Sequence, residues 1–145
     1  MQNLLTAAAL IGKEAGPVPA VSRTYETAAW GDKSQESYYN QVLIVDTELE
    51  AWTLMKTILH IENEMGRIRT KKWEPRIIDI DILYFNSDVV NESDLTIPHP
   101  LLQERRFTLI PLAEVLPDFI HPLLKKNTLE LLAICTDEGA VQKVI

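Results

Sequence analysis

Apolar residues recur at helical spacing in several stretches of the chain. Residues 2–14 carry such a face and are followed by Gly16-Pro17, a pair that stops a helix. A second apolar stripe has the members Leu54, Ile58, Ile61 and Met65. The spacing of Thr47 and Glu50 predicts a capping box at its start, and Gly66 predicts its end. Further helices are predicted over residues 101–107, 109–116 and 128–135.

Strands are predicted where apolar residues run together or alternate with polar ones. Residues 21–27 and 41–46 fit this description. The clearest strand is 77–85, in which isoleucines alternate with Asp79 and Asp81. Because side chains alternate across a strand, the two aspartates share one face and the isoleucines the other. Residues 86–88 then predict a turn into a hairpin with Val89-Val90.

The order of these elements predicts an α+β fold in one domain, residues 1–145. The predicted order is helix, strand, strand, helix, strand, short strand and helices. This is a ferredoxin-like order without its opening strand. Helices are expected to cover a largely antiparallel sheet. A chain of 145 residues and 16.5 kDa suits one domain of this size.

The net charge and its distribution indicate which classes of partner the chain can bind. The net charge of −7 argues against a protein that coats nucleic acid. Yet five of the 14 basic residues lie between residues 67 and 76, immediately before the two aspartates. Such a local cluster indicates a small polyanion. The apolar stretch 4–12 is too short for a membrane span, and a single cysteine, Cys135, fits the reducing cytoplasm.

Asp79 and Asp81 are the candidate chemical centre. Two positions along a strand place their Cα atoms about 6.5–7 Å apart on one face, where both carboxylates can reach hard divalent cations. The alternative is that both point to solvent from an exposed sheet face. The neighbouring arginines, at 67, 69 and 76, and the flat ring of Trp73 favour phosphoryl transfer over that alternative.

The residues alone do not decide the roles of the other candidate residues. The five glycines are too scattered for a phosphate-binding loop, so a bound nucleotide must be held by side chains and metal. His99, between two prolines, fits a structural hydrogen-bonding role or a ligand-binding one. Trp30 and Tyr38 fit core packing as well as ring binding.

Four motifs together resemble those of 6-hydroxymethyl-7,8-dihydropterin pyrophosphokinases. The run Trp73-Glu-Pro-Arg76-Ile-Ile-Asp79-Ile-Asp81 is similar to the family signature. The other three matching blocks are Tyr25–Gly31 with Tyr38-Tyr-Asn40, Ile61-Glu62 with Gly66–Arg69, and Leu95–Pro100 with Arg105–Phe107 and Pro111-Leu112. The resemblance covers nearly the whole chain.

The resemblance implies transfer of pyrophosphate from ATP to a hydroxymethyl-dihydropterin in folate synthesis. Asp79 and Asp81 would ligate two Mg²⁺ ions and, with Arg67 and Arg76, would be the catalytic residues. The implied ATP-binding residues are Glu62, Arg67, Arg69, Arg76, Thr96, His99 and Arg105. The implied pterin-binding residues are Thr27, Ala28, Trp30, Tyr38, Asn40, Trp73 and Phe107. The family also implies a monomer, with neither nucleic acid nor membrane as partner.

The chain departs from the family pattern at three points. Glu74 stands where a small residue is usual, and Ala29 replaces the usual proline of the pterin loop. The chain begins at the family's first helix, so the opening strand is expected to be absent. An absent internal strand leaves two sheet edges that need a cover, and a second copy of the chain is one such cover.

Two alternatives to the enzyme follow. One is a truncated relative that binds ATP or pterin with little turnover, because the first strand is missing. The other is a non-catalytic ferredoxin-like module that binds RNA through residues 67–76, which the net negative charge disfavours.

Overall fold

A computed structural model describes residues 2–27, 38–66 and 78–144. Within them the helices are α1 (Gln2–Glu14), α2 (Ala51–Met65), α3 (Arg106–Val115) and α4 (Thr128–Ile134), and a short 3-10 helix at Leu102–Glu104 precedes α3. Helices α1, α2 and α4 agree with the prediction to within a few residues, whereas α3 runs without a break through residue 108, where the prediction separated two helices. In the described ranges no helix is long and apolar enough to cross a membrane.

The strands are short and pair antiparallel throughout the described residues. They are β1 (Ala20–Val21), β2 (Tyr25–Thr27), β3 (Tyr38–Asn40), β4 (Leu43–Ile44), β5 (Val90–Glu92), β6 (Leu95–Ile97) and β7 (Val141–Lys143). Strand β1 pairs with β4, β5 pairs with β6, and β2 lies between β3 and β7. Helices and antiparallel sheets in one chain confirm the α+β class.

Two apolar clusters form the core. The first joins α1 and α2 through Ile11, Leu54 and Ile58, and the half-buried Ile80 and Ile82 pack against it. The second joins α3 and α4 and includes Leu109, Leu112 and Leu131. The apolar stripe predicted for α2 is therefore the face that is buried.

Gly16 fixes how the chain leaves α1. Its φ of 144° lies in the region that favours glycine, and a Cβ atom at this position would overlap the carbonyl oxygen of Asp46. The Asp46 amide donates to the Pro17 carbonyl oxygen at 2.8 Å, so the chain after α1 is held against residues 42–46. This close approach sets the position of β1 beside β4.

Four further details of the sequence prediction were wrong. The single strand predicted over residues 21–27 is two strands, β1 and β2, which belong to different sheets. Helix α2 begins after Glu50, whose side chain makes no capping bond, and the Thr47 hydroxyl accepts from the Leu49 amide instead. The strand predicted over 77–85 is not seen in its described part, since residues 78–85 form no ladder with a described strand. The hairpin also lies further along, because Val90 pairs with Ile97.

Helix α4 carries the capping box that α2 lacks. Asn127 accepts from the Glu130 amide at 2.8 Å, and the Glu130 carboxylate accepts from the Asn127 amide at 3.0 Å. We expect Asn127→Ala to lower the free energy of unfolding by about 1 kcal/mol. Chemical denaturation measures this, with Asn127→Asp as the control because aspartate still caps. Equal losses in both variants would contradict a capping role.

His121 makes stability depend on pH. Burial lowers its pKa below the ordinary 6.5, and its Nδ1 accepts from the Leu123 and Leu124 amides, which requires the neutral ring. Below pH 6.5 the unfolded chain therefore binds a proton that the folded chain does not. Stability should fall as the pH drops through this range, by at most about 1.4 kcal/mol per pH unit from this group.

Denaturation at several pH values tests this dependence. His121→Asn should reduce the slope of the unfolding free energy against pH below pH 6.5. Identical slopes in the wild type and the His121 variant would show that another group is responsible.

Candidate functional site

Asp79 and Asp81 lie on one side of the 78–85 segment. Both are exposed, whereas Ile78, Ile80 and Ile82 are partly buried. Ile80 and Ile82 pack against the cluster between α1 and α2. The alternation predicted from sequence is thus present even though the segment has no described strand partner. The apolar side anchors the segment, and the opposite side presents two carboxylates.

Glu62 ties this segment to helix α2. Its carboxylate accepts from the Ile80 amide at 2.7 Å. The Ile80 amide lies between the two aspartates in the chain, so this bond fixes the backbone that carries them. A candidate ATP-binding residue therefore also has a positioning contact with the acid pair.

His99 is the neighbour of Asp81 across the site. Its Nε2 lies 4.0 Å from an Asp81 carboxylate oxygen, and its backbone amide donates to the Leu83 carbonyl oxygen at 2.9 Å. Nδ1 accepts from the Leu101 amide at 3.1 Å, so in the neutral ring the proton is on Nε2. Burial lowers the pKa of His99, the Asp81 carboxylate raises it, and the Arg105 guanidinium lowers it further.

Arg105 and Phe107 stand at the start of α3. The Arg105 guanidinium carbon lies 5.5 Å from the centre of the Phe107 ring, within the range of a cation–π contact. The Arg105 carbonyl oxygen accepts from the Thr108 and Leu109 amides, which holds the arginine at the first turn of the helix. A cation and an aromatic ring thus stand side by side at the start of α3.

Asn40 and Thr27 come together through the pairing of β2 with β3. The Asn40 side-chain amide donates to the Thr27 hydroxyl at 3.1 Å. This bond orients the Asn40 carboxamide, and Thr27 itself is buried. Tyr38 is paired with Thr27 in the ladder, and its side chain is 58% exposed. Tyr38 is therefore a surface residue and not part of the aromatic core.

A single cavity of about 1070 Å³ unites most of the described candidates. Those that line it are Asn40, Asp79, Asp81, His99, Arg105 and Phe107. Thr96 lines a second hollow of about 370 Å³, which shares His99 with the first. A volume near 1000 Å³ is at the upper end for small-molecule sites, so the cavity has room for two ligands of moderate size.

Six predicted site residues are outside the described part of the chain. They are Ala28, Trp30, Arg67, Arg69, Trp73 and Arg76. Their assignments stay as predicted from the resemblance.

Sequence reasoning missed Tyr84, which also lines the large cavity. Its hydroxyl is buried and has no hydrogen-bond partner among the described residues, and burial raises its pKa to about 12. Its ring lies 4.5 Å from that of Phe119, centre to centre. The available signal was the alternation itself, which places Tyr84 on the face of Ile80 and Ile82 and so sets a hydroxyl among apolar side chains.

The donor chemistry of the site fits Mg²⁺. Within the described ranges no group of three or more His, Cys, Asp or Glu side chains is gathered as a metal cage. Two exposed carboxylates on one cavity wall are instead the donor set of an ion that keeps waters and phosphate oxygens as its other ligands. Asp79 and Asp81 are the residues that would hold it.

The sequence matches one family model, described as 7,8-dihydro-6-hydroxymethylpterin-pyrophosphokinase, over residues 1–117. This range includes every predicted site residue. The chain is 42% identical over 127 residues to the folic acid synthesis protein FOL1 of Dictyostelium discoideum, a match that covers 88% of this chain and 19% of that protein.

Two bacterial relatives carry the name 2-amino-4-hydroxy-6-hydroxymethyldihydropteridine pyrophosphokinase. The protein of Methylorubrum extorquens is 42% identical over 103 residues, which is 71% of this chain and 65% of the relative. That of Aquifex aeolicus is 40% identical over 109 residues, which is 75% of this chain and 68% of the relative. The matched part therefore spans about two thirds of these bacterial proteins.

Proposed function

The chain belongs to the 7,8-dihydro-6-hydroxymethylpterin-pyrophosphokinase family, and on this premise we propose that it transfers pyrophosphate from ATP to 6-hydroxymethyl-7,8-dihydropterin. One observation carries the proposal: Asp79 and Asp81 share a cavity with His99, Arg105, Asn40 and Phe107. The reaction needs acids to bind a cation, cations to bind phosphates, and an amide and an aromatic ring to bind a planar heterocycle, and these residues line one cavity.

In the proposed reaction the hydroxymethyl oxygen of the pterin attacks the β-phosphorus of ATP. A new bond forms between that oxygen and the β-phosphorus, and the bond from the β-phosphorus to the oxygen that bridges to the α-phosphorus breaks. AMP leaves with the bridging oxygen, and the hydroxyl proton passes to solvent. Two bound Mg²⁺ ions would supply neutralisation of phosphate charge in this step.

The protein contributes position and charge. Asp79 and Asp81, fixed through the bond from Ile80 to Glu62, would orient the phosphates by way of the ions. The Nε2–H of neutral His99 and the guanidinium of Arg105 are donors for phosphate oxygens. Asn40, held by Thr27, is suited to the hydrogen-bonding edge of the pterin, and Phe107 to its face.

The remaining site assignments belong to the same proposal. Glu62, Arg67, Arg69, Arg76 and Thr96 complete the proposed ATP site. Ala28, Trp30, Tyr38 and Trp73 complete the proposed pterin site. We also propose that the protein acts in the cytoplasm, for which the single half-buried Cys135 is the supporting feature.

Product analysis tests this function. With Mg²⁺, ATP and the hydroxymethyl-dihydropterin, phosphorus NMR should show AMP and pterin diphosphate appearing in equal amounts. ADP with a pterin monophosphate would mean attack at the γ-phosphorus and would contradict the proposal. Calorimetric binding of both ligands without either product would instead favour a binding protein with little turnover.

A further inference from the structure

Asp137 joins the C-terminal part of the chain to the first turn of α3. One of its carboxylate oxygens accepts from the Gly139 backbone amide at 2.9 Å, and the other accepts from the Arg106 backbone amide at 3.0 Å. The bond from Gly139, followed by that from Arg106, lowers the pKa of the Asp137 carboxyl below its ordinary value. The side chain is therefore an anion at neutral pH, and an anion at the start of a helix also interacts favourably with the helix dipole.

The bond to Asp137 takes the place of a local cap on α3. The residue at the N-cap position is Arg105, and its side chain makes no capping hydrogen bond. The first amides of a helix have no partner within the helix itself. One of them is satisfied here by a carboxylate 31 positions further along the chain. The way in which the chain enters α3 therefore depends on the C-terminal segment.

The amide that Asp137 holds lies between two residues of the candidate site. Arg106 separates Arg105 from Phe107 in the chain, and both of these neighbours line the large cavity. The acid pair is held in the same manner, because Glu62 accepts from the Ile80 amide between the two aspartates. In both places a carboxylate bonds to the backbone that carries a pair of site residues.

The C-terminal segment also reaches the other side of the proposed pterin site. After Asp137 it continues into β7, which pairs with β2 and sets Val141 opposite Thr27. The Thr27 hydroxyl accepts from the Asn40 carboxamide at 3.1 Å. Helix α3 packs against both β2 and β7. One segment thus connects the turn that carries Phe107 with the strand that orients Asn40.

The far end of α3 has its own attachment to β2. The Glu114 carboxylate accepts from the Tyr25 hydroxyl at 2.7 Å and from the Arg23 backbone amide at 2.9 Å. Loss of the Asp137 contact should therefore leave the helix attached at this end. Its first turn, with Arg105 and Phe107, is the part that should become less well fixed.

We propose that Asp137 is a positioning residue for the pterin, which sets the place of the Phe107 ring relative to the Asn40 carboxamide. The inference rests on the proposed function. It adds a residue from outside the family match, which ends at residue 117. Asp137 does not line the cavity, so it acts through the Arg106 amide and through β7 and not by contact with a substrate.

Asp137→Ala should affect pterin recognition more than the chemical step. We expect KM for the pterin to rise about fivefold, as loss of the hydrogen bonds that fix the Phe107 turn implies. Calorimetry with Mg²⁺ and a non-hydrolysable ATP analogue should show the same loss of pterin affinity. The value of kcat should stay within about twofold of the wild type, because Glu62 holds the acid pair independently. KM for ATP should rise less, since Arg105 is one of several proposed ATP-binding residues.

Two control variants separate positioning from a loss of stability. Glu138 is the exposed neighbour of Asp137, so Glu138→Ala should have the wild-type KM for the pterin. Asn127→Ala removes a capping bond from α4, and Asn127 does not line the cavity. This variant should lose stability and keep the wild-type KM. If stability alone mattered, Asn127→Ala would raise KM as Asp137→Ala does.

Amide hydrogen exchange measured by NMR tests the contact without either substrate. The Arg106 amide should exchange slowly in the wild type, although it has no partner within the helix. In Asp137→Ala the Arg106 and Gly139 amides should exchange at least about fivefold faster. Asp137→Asn keeps one acceptor oxygen and should lose protection at one of the two amides. It replaces the alanine variant if that does not fold, with an expected rise in the pterin KM of at least about twofold.

Three results would reject the positioning role. They are equal exchange of the Arg106 amide in wild type and variant, a wild-type pterin KM in the folded Asp137 variant, and an equal rise of KM in Asn127→Ala. A fall in kcat with an unchanged KM would reject it as well. A wild-type protein that binds no pterin would reject the proposed function and this inference together. Normal wild-type turnover with an unaffected Asp137 variant would reject the inference alone.

Discussion

Replacing Asp79 or Asp81 with alanine is expected to reduce kcat by about 100-fold or more while leaving the fold intact. Both side chains are exposed, so their removal opens no cavity in the core. The loss follows because either change takes away half of the carboxylate pair that would hold the cations against the triphosphate. Initial rates of AMP formation at saturating Mg²⁺, ATP and pterin measure it.

Asp94 provides the matched control. It is an exposed aspartate in the turn between β5 and β6 and does not line the large cavity. Asp94→Ala should therefore retain the wild-type rate. The metal-binding role is wrong if the Asp79 and Asp81 variants turn over at the same rate as the Asp94 variant.

Ile61→Ala is expected to have the largest effect on stability among the core changes considered. Ile61 is 0% exposed in the cluster between α1 and α2, where Ile80 and Ile82 also pack. Truncating a buried isoleucine costs about 2–5 kcal/mol through lost burial and the cavity that remains. Against a total of about 5–15 kcal/mol for a domain, this is a large fraction of the free energy of unfolding. Urea denaturation measures the loss.

Leu59 lies on the same helix and is the control. Its side chain is 43% exposed, so Leu59→Ala should cost well under half as much as Ile61→Ala. Similar losses for the two variants would mean that the face of α2 that carries Ile61 is not the buried one. Because Glu62 follows Ile61 and bonds to Ile80, we also expect Ile61→Ala to disturb the acid pair in the folded fraction.

The helices were predictable because their signals are local. Periodic apolar residues and the stop at Gly16-Pro17 predicted α1, and the stripe through Leu54 and Ile61 predicted α2. The capping of α2 was not predictable in this way. Thr47 has the right spacing, but its hydroxyl accepts from the amide of Leu49, two residues before the helix begins at Ala51. Local hydrogen bonds of serine and threonine compete with capping, and sequence spacing does not distinguish the two.

In the 78–85 segment, the alternation of apolar and polar residues predicted burial but not strand pairing. Alternation predicted correctly which side chains are buried, because that depends only on packing against α1 and α2. It did not predict pairing, since a strand needs a neighbour that offers backbone groups in register. The pattern could not predict the hydrogen bond from the Ile80 amide to the Glu62 carboxylate either, because this bond joins residues 18 positions apart through a side chain.

For the candidate site, too, some features were predictable from the sequence and others were not. Sequence reasoning selected the acid pair, His99 and Arg105 by residue type and resemblance, and the structure places all of them on one cavity. The protonated nitrogen of His99 follows from the Leu101 amide two residues later, a bond that depends on the backbone path after Pro100. The size of this cavity depends on how far β4 lies from the 78–85 segment, which a pattern in the sequence does not predict.

Anomalous scattering from Mn²⁺ tests the central claim most directly. The experiment is a crystal of the protein with Mn²⁺, a non-hydrolysable ATP analogue and the hydroxymethyl-dihydropterin. We predict metal peaks about 2.1 Å from carboxylate oxygens of both Asp79 and Asp81, with the phosphates of the analogue as further ligands. Metal peaks on the phosphates alone, with both aspartates directed away from them into solvent, would contradict it.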